Sequence, residues 1–122
     1  MRWLVDGMNV IGSRPTGWWR DRRGAMRELV ESLERFAAAG GDEVTVVLDG
    51  RPFDLRGDRV EVIFASRRGR NAADDDIAAL AGRDDDPAGL RVVTSDAELA
   101  RRVEAAGAGV VGAGEFRRRL DG

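Results

Sequence analysis

Short apolar runs alternate along the chain with longer stretches of helical periodicity. Trp3-Leu4-Val5 reads as a buried strand closed by Asp6. Over residues 22–39, Met26, Leu29, Val30, Leu33 and Phe36 recur at helical spacing, and Gly40-Gly41 stops the pattern. Val44 to Leu48 predicts a second strand, ending at Asp49-Gly50, and Val60 to Phe64 a third. Residues 72–81 read as a helix with its acids in the first turn, where the helix dipole favours negative charge. Leu90 to Thr94 predicts a fourth strand, followed by Ser95-Asp96 and a helix over 97–106. Val110-Val111 is a brief fifth strand, and residues 113–120 a last helix. Continuously apolar strands alternating with helices imply a parallel sheet covered on both faces. The expected fold is α/β: a three-layer α/β/α sandwich around a parallel sheet of about five strands, one domain over 1–122.

The acids fall where those strands end. Asp6 follows WLV, Asp49 follows VVL, and Asp96 follows VVTS. In an open parallel sheet the carboxyl ends of the strands lie along one edge, where ligands bind at the point where strand order reverses. Three strands thus deliver three carboxylates to one rim, and Asp74 and Asp75, opening the helix after the third strand, arrive from the same side. Each acid alone is an ordinary turn or capping residue; their convergence is the signal. Two carboxylates ~4 Å apart repel by about 4 kcal/mol at an effective dielectric near 20, so such a cleft takes up protons or holds a cation.

Composition narrows the cation and the chemistry. The chain has no Cys, His or Tyr, and all 20 of its basic residues are Arg. Sites built on Ser-His-Asp, Cys-His, zinc-binding Cys or His, or Lys Schiff bases are therefore excluded, as are disulfides. Ligation by oxygen alone selects Mg²⁺ or Mn²⁺ over Zn²⁺, which points to metal-assisted hydrolysis or transfer of phosphates. No apolar run approaches the ~20 residues of a membrane span, and the apolar stretch before Asp6 is too short for a signal-peptide core. A cytoplasmic chain that does not engage membranes is the expectation.

Net charge is −2 and the pI about 5.2, so no global basic field draws in nucleic acid. The charge is blocky instead. Arg14, Arg20, Arg22, Arg23 and Arg27 face only Asp21 across residues 14–27; Arg67, Arg68 and Arg70 form a second cluster, and residues 117–119 a third. The loop 14–24 combines arginines with Trp18 and Trp19, a composition suited to pairing with phosphates and stacking on bases of single-stranded RNA. Arg20 and Trp18 are its leading candidates. Arg67, Arg68 and Arg70, just before the acidic helix, are candidates to lead RNA to the rim, and Arg51, past Asp49-Gly50, to approach its backbone. Thr94 or Ser95 is positioned to bond a phosphate oxygen or to steady Asp6. Glu28, Glu31 and Glu34 read as the solvated face of their helix, and Asp84 to Asp86 as a surface turn before Pro87.

At VDGMNVIG, followed in order by VVLDG, AADDDIA and VVTSD, the chain resembles the NYN-domain, YacP-like ribonucleases of the PIN-fold superfamily. The likeness runs nearly end to end. It implies a metal-dependent endoribonuclease with a parallel α/β sheet, using Mg²⁺ or Mn²⁺ to hydrolyse single-stranded RNA to a 5′-phosphate and a 3′-hydroxyl. By position, the resemblance makes Asp6 the central metal ligand and has Asn9 orient a ligand or the scissile phosphate. It makes Asp74, Asp75 and Asp96 further metal-binding acids and Asp49 a less uniform one, and gives Asp76 no required counterpart. A homodimer, a ribosome or another protein partner is compatible with the sequence and not required by it. Two competing readings differ in class. A catalytically inactive PIN-like module would bind RNA without metal, and a scaffold would use the acids only to satisfy turns. A phosphatase with Asp6 as nucleophile lacks the usual second acid, since position 8 is Met8, and lacks a lysine.

Overall fold

The structure is a computed structural model of Met1 to Gly122, and it describes every residue except Arg68 and Arg70. Five parallel strands pair side by side in the order β3 (Val60–Phe64), β2 (Glu43–Leu48), β1 (Arg2–Asp6), β4 (Leu90–Val93), β5 (Gly109–Val111). Successive side chains of a strand point to opposite faces, and the strands divide accordingly. Trp3, Val5, Val44, Val46 and Leu48 enter one core, whereas Leu4, Val47 and Val92 enter the other. The first core is covered by α1 (Gly7–Ile11), α2 (Arg22–Gly40) and α5 (Ala113–Asp121). The second is covered by α3 (Ala72–Gly82) and α4 (Ala97–Ala105). This is the expected α/β/α sandwich.

The long helix follows its sequence signals closely. Asp21 caps it by accepting the Gly24 N–H at 3.0 Å. Met26, Leu29, Val30, Leu33 and Ala37 form its buried stripe, and Gly41 ends it at φ 67°, a left-handed conformation that glycine adopts without strain. Phe36 meets Trp3 and Phe116 in a three-ring cluster, with centroids 5.2 to 5.5 Å apart. That cluster fixes α2 and α5 against β1.

Strand order sets the position of the functional edge. From β1 the chain builds outward through β2 and β3, then returns to lay β4 and β5 on the other side. The carboxyl end of β1 therefore lies at the switch point, flanked by the ends of β2 and β4.

Five features depart from the sequence reading. Residues 7–11 form α1, and two 3₁₀ turns appear at Trp18–Arg20 and Pro87–Gly89; all three are too short to carry a periodic signal. Glu34 is not merely a solvated face residue. Its carboxylate accepts the backbone N–H of Asp58 (2.6 Å), Arg59 (2.7 Å) and Val60 (3.0 Å), pinning the start of β3 to α2. Burial opposes its charge, but those three donors outweigh it and hold the carboxyl below its ordinary value. Finally, Asp84 is more than a turn residue: it pairs with Arg2 at the far, amino-terminal edge of the sheet.

Candidate active site

Asp6 closes β1 with only 5% of its surface exposed. Its carboxylate accepts the Thr94 hydroxyl at 3.1 Å, and the Thr94 oxygen accepts the Asp96 N–H at 3.1 Å. The β1–β4 register, which pairs Val5 with Val93, brings these groups side by side. Asp96 in turn caps α4 by accepting the Leu99 N–H at 2.9 Å. A parallel link runs from Asn9, whose side-chain oxygen accepts the Ser95 N–H (2.8 Å), to Ser95, whose hydroxyl oxygen accepts the Ala113 N–H (2.8 Å). Through these bonds the ends of β1 and β4 and the starts of α1, α4 and α5 form one polar floor.

Above that floor is a pocket of ≈ 240 Å³ lined by Asp6, Met8, Asn9, Asp49, Asn71, Ala73, Asp74 and Asp96. The structure thus brings together Asp6, Asn9, Asp49, Asp74 and Asp96, from the ends of three strands and the first turn of α3. Asp49 also closes a local turn by accepting the Gly50 N–H at 2.8 Å. Burial raises the Asp6 carboxyl most. The charge of Asp74 adds to it, the bonds from Thr94 and the Asn9 backbone oppose it, and Asp96 raises it further, to about 6. Asp74 is also pushed up, first by burial and then by Asp96.

Asp75 is turned elsewhere. Adjacent helical residues differ by about 100° in direction, and Asp75 faces an adjoining pocket of ≈ 230 Å³ that shares Asn71, Asp74 and Asp96 with the first. There it accepts from Arg102 at 3.0 Å and pairs with Arg67. The Arg102 hydrogen bond, aided by the Arg67 charge, holds its carboxyl below the ordinary value against the effect of burial. Asp76 bonds the backbone N–H (2.6 Å) and hydroxyl (2.8 Å) of Ser66, fixing the loop that enters α3.

The described basic candidates are scattered around the rim. Arg67 reaches Asp75, Arg51 is exposed beyond Asp49-Gly50, and Arg68 and Arg70 lie outside the described residues. In the turn before α2, Trp18 packs on the core, whereas Trp19 is 56% exposed and Arg20 faces solvent. Three residues of this region carry no signal in the sequence reading: Asn71, Glu98 and Arg102. Asn71 sits at φ 68° before α3, a conformation asparagine tolerates better than most side chains. Glu98 and Arg102 reach the adjoining pocket from α4.

A divalent cation is tested by the donor set. Among the described residues no three carboxylates come close enough together to hold a metal ion as they stand. A closed cage is not what Mg²⁺ demands, since it takes one or two carboxylates and completes its octahedron with water and phosphate oxygens. The pocket offers oxygen donors raised first by burial and then by one another's charge, and a cation would relieve both effects on Asp6 and Asp74. The residues fit the ion in chemistry and charge.

Among the described residues no helix is long and apolar enough to cross a membrane. Comparison with solved structures finds similarity to Rae1 (YacP) from Bacillus subtilis. The TM-score is 0.82 against the crystal structure of a tryptophan-to-leucine variant and 0.79 against a second crystal structure. Sequence identity is 28% in both, covering 99% of this chain and 74% of the Rae1 chain. No curated protein matches the chain. The family comparison matches the YacP-like NYN domain over residues 3–122. With that match running from the first strand to the last residue, the chain belongs to the YacP-like NYN domain family.

Proposed function

We propose that the chain is a divalent-metal-dependent endoribonuclease that hydrolyses phosphodiester bonds of single-stranded RNA at the Asp6 pocket. Family membership supports the reaction class, since YacP-like NYN domains are PIN-type ribonucleases. One observation carries the reading to particular residues. Asp6, buried at the end of the central strand, shares a pocket with Asp49, Asp74 and Asp96, and its carboxyl is pushed up to about 6.

Asp6, Asp74 and Asp96 would hold the ion, one or two directly and the rest through its waters, with Asp49 on the pocket wall. Bound there, Mg²⁺ or Mn²⁺ would supply what side chains without His, Cys or Lys do not, a lowered water pKa, and would add positive charge at the scissile phosphate. The chain's own residues position the substrate. The side-chain oxygen of Asn9 is engaged by Ser95, which leaves its amide N–H donors for a phosphate oxygen. The Ser95 hydroxyl accepts from Ala113 and keeps its proton to donate. Asp75 holds Arg67 and Arg102 at the rim. Hydrolysis joins a water oxygen to phosphorus as the P–O3′ bond breaks, leaving a 5′-phosphate and a 3′-hydroxyl.

Labelled single-stranded RNA incubated with Mn²⁺ tests this. Wild-type protein should cleave it to 5′-phosphorylated products. Chelator and Asp6→Asn should each abolish cleavage. Wild-type rates in Asp6→Asn would overturn the site assignment. RNA binding that needs no metal, with no cleavage under any condition, would select the inactive binding module instead.

A further inference from the structure

We infer that RNA flanking the reacting phosphate lies across a face on the β2 side of the Asp6 pocket, formed by Trp19, Arg22, Arg23, Arg27 and Phe53. The inference rests on the ribonuclease reading and extends it to how substrate is held.

α2 runs back across the sheet to feed β2, so its first turn stands at the same edge as the end of β2. There the two elements nearly touch: a Cβ built on Gly50 would lie 4.0 Å from the Arg22 guanidinium. Gly50 adjoins Asp49, which lines the Asp6 pocket. The face is therefore continuous with the pocket along residues 49–53.

Trp19 and Met1 are the exposed large hydrophobic residues among those described. Trp19 is fixed edge-on to Trp18 (centroids 6.0 Å, 82°), and Arg22 lies over Trp18 at 5.5 Å. Arg23 and Arg27, one helical turn apart, both lie over Phe53, at 4.9 and 5.1 Å from its centroid. Phe53 is held from below by Phe64 at 5.6 Å. Guanidinium groups thus alternate with immobilised aromatic rings, the combination that engages phosphates and unstacked bases together.

Among the described residues, none of Arg20, Arg22, Arg23, Arg27 or Arg51 has a carboxylate within ion-pair distance. Asp21, the one acid in their midst, spends its carboxylate on the Gly24 N–H. A polyanion approaching a pocket lined by four aspartates is repelled, and this face offsets that repulsion beside it. Only a single strand can present an unstacked base to Trp19, while Phe53 holds the Arg23 and Arg27 guanidinium groups in place for its phosphates.

Fluorescence anisotropy of a labelled single-stranded oligoribonucleotide, in chelator to prevent cleavage and over a range of salt, tests the inference. The altered side chains are exposed, and circular dichroism confirms that each variant is folded. Trp19→Ala should weaken single-strand binding roughly ten-fold, as expected for loss of one stacked base, and affect duplex RNA far less. The double variant Arg23→Gln/Arg27→Gln should reduce the slope of log affinity against log salt by about 1.4, two phosphate contacts. Unchanged affinity and slope in both variants would overturn the inference, and that result is what a protein partner on this face would give. Equal losses for single-stranded and duplex RNA in Trp19→Ala would overturn it too. If these variants bind like the wild type while the wild type still cleaves RNA, only this inference falls. A wild type that neither binds RNA in chelator nor cleaves it with Mn²⁺ would remove the ribonuclease reading as well.

Discussion

The buried Thr94 hydroxyl joins Asp6 to Asp96, donating to the one carboxylate and accepting the backbone N–H of the other, both at 3.1 Å. One oxygen thereby fixes the spacing of two acids that repel each other. Thr94→Val keeps the shape and removes both bonds, leaving a buried carboxylate and an N–H without these partners. The expected loss is about 1–3 kcal/mol of stability. Because the Thr94 bond favours ionised Asp6, the variant's Asp6 should also titrate higher. Urea denaturation measures the first effect and carboxyl-resolved NMR titration the second; a variant as stable as wild type would show that the bond contributes nothing.

Asp6 itself should make the metal-free protein less stable as pH rises. Its carboxyl ordinarily titrates at 3.8 and in the fold at about 6, so the folded state binds the proton more tightly than the unfolded chain. The fold is favoured fully below pH 4 and loses that advantage between pH 4 and 6, by about 3 kcal/mol. Asp6→Asn should flatten this slope, leaving the part that raised Asp74 contributes, and raise the melting temperature in chelator at neutral pH by roughly 10 °C. Thermal melts of wild type and Asp6→Asn from pH 4 to 7 check it; a wild type that gains stability relative to the variant as pH rises would contradict the assigned sign.

Divalent ions should offset the cost of ionised acids buried side by side. At a hundred times its Kd, Mg²⁺ or Mn²⁺ stabilises the folded state by about 2.7 kcal/mol. Calorimetric uptake should fall sharply in Asp6→Asn, Asp74→Asn and Asp96→Asn and persist in Asp75→Asn, because Asp75 is committed to Arg67 and Arg102. Loss of uptake in Asp75→Asn alone would reverse the roles of the two neighbouring acids.

That distinction marks where sequence reasoning stops. Asp6, Asp49 and Asp96 were legible as neighbours because an apolar run ending in an acid, repeated in a parallel sheet, sends each acid to one edge. Asp74 and Asp75 were not separable, since the phase of a helix opening AADDD depends on which alanines meet the core. Here Ala73 and Ile77 do, and that rotation aims Asp74 at Asp6. Trp18 and Trp19 pose the same problem, as composition names the pair and only packing shows which ring stays exposed. Arg102 and Glu98 join the site through α3–α4 packing, which no local pattern records.

Glu34 shows the limit in another way, because its partners lie 24 to 26 residues along the chain. Glu34→Ala should free the entry to β3 at residues 58–60 and destabilise the protein by about 1 kcal/mol, a modest figure because the group is only half-buried. Its carboxyl is held below the ordinary 4.5, so its contribution is present at neutral pH and is lost as pH falls below that value. Hydrogen exchange at Arg59 and Val60 should accelerate in the variant; unchanged protection there would show that the entry holds without it.

Gly7 connects the acid pocket to the core. A Cβ there would stand 2.5 Å from Leu48 Cδ2, 2.9 Å from Val46 Cγ2 and 3.0 Å from the Val47 carbonyl oxygen. Two of those atoms belong to fully buried side chains and the third to the strand itself, so none yields easily. Glycine is thus required for close approach, letting α1 begin against β2 directly after Asp6. Gly7→Ala should force α1 outward, with a loss of about 1–3 kcal/mol from overpacking. The displacement would carry Asn9 away from Ser95 and disturb the surroundings of Asp6. Cleavage should therefore fall by more than the stability loss explains, at a temperature where the variant is fully folded. A folded Gly7→Ala protein with wild-type cleavage would show that the pocket tolerates the shift, and that the glycine serves packing alone.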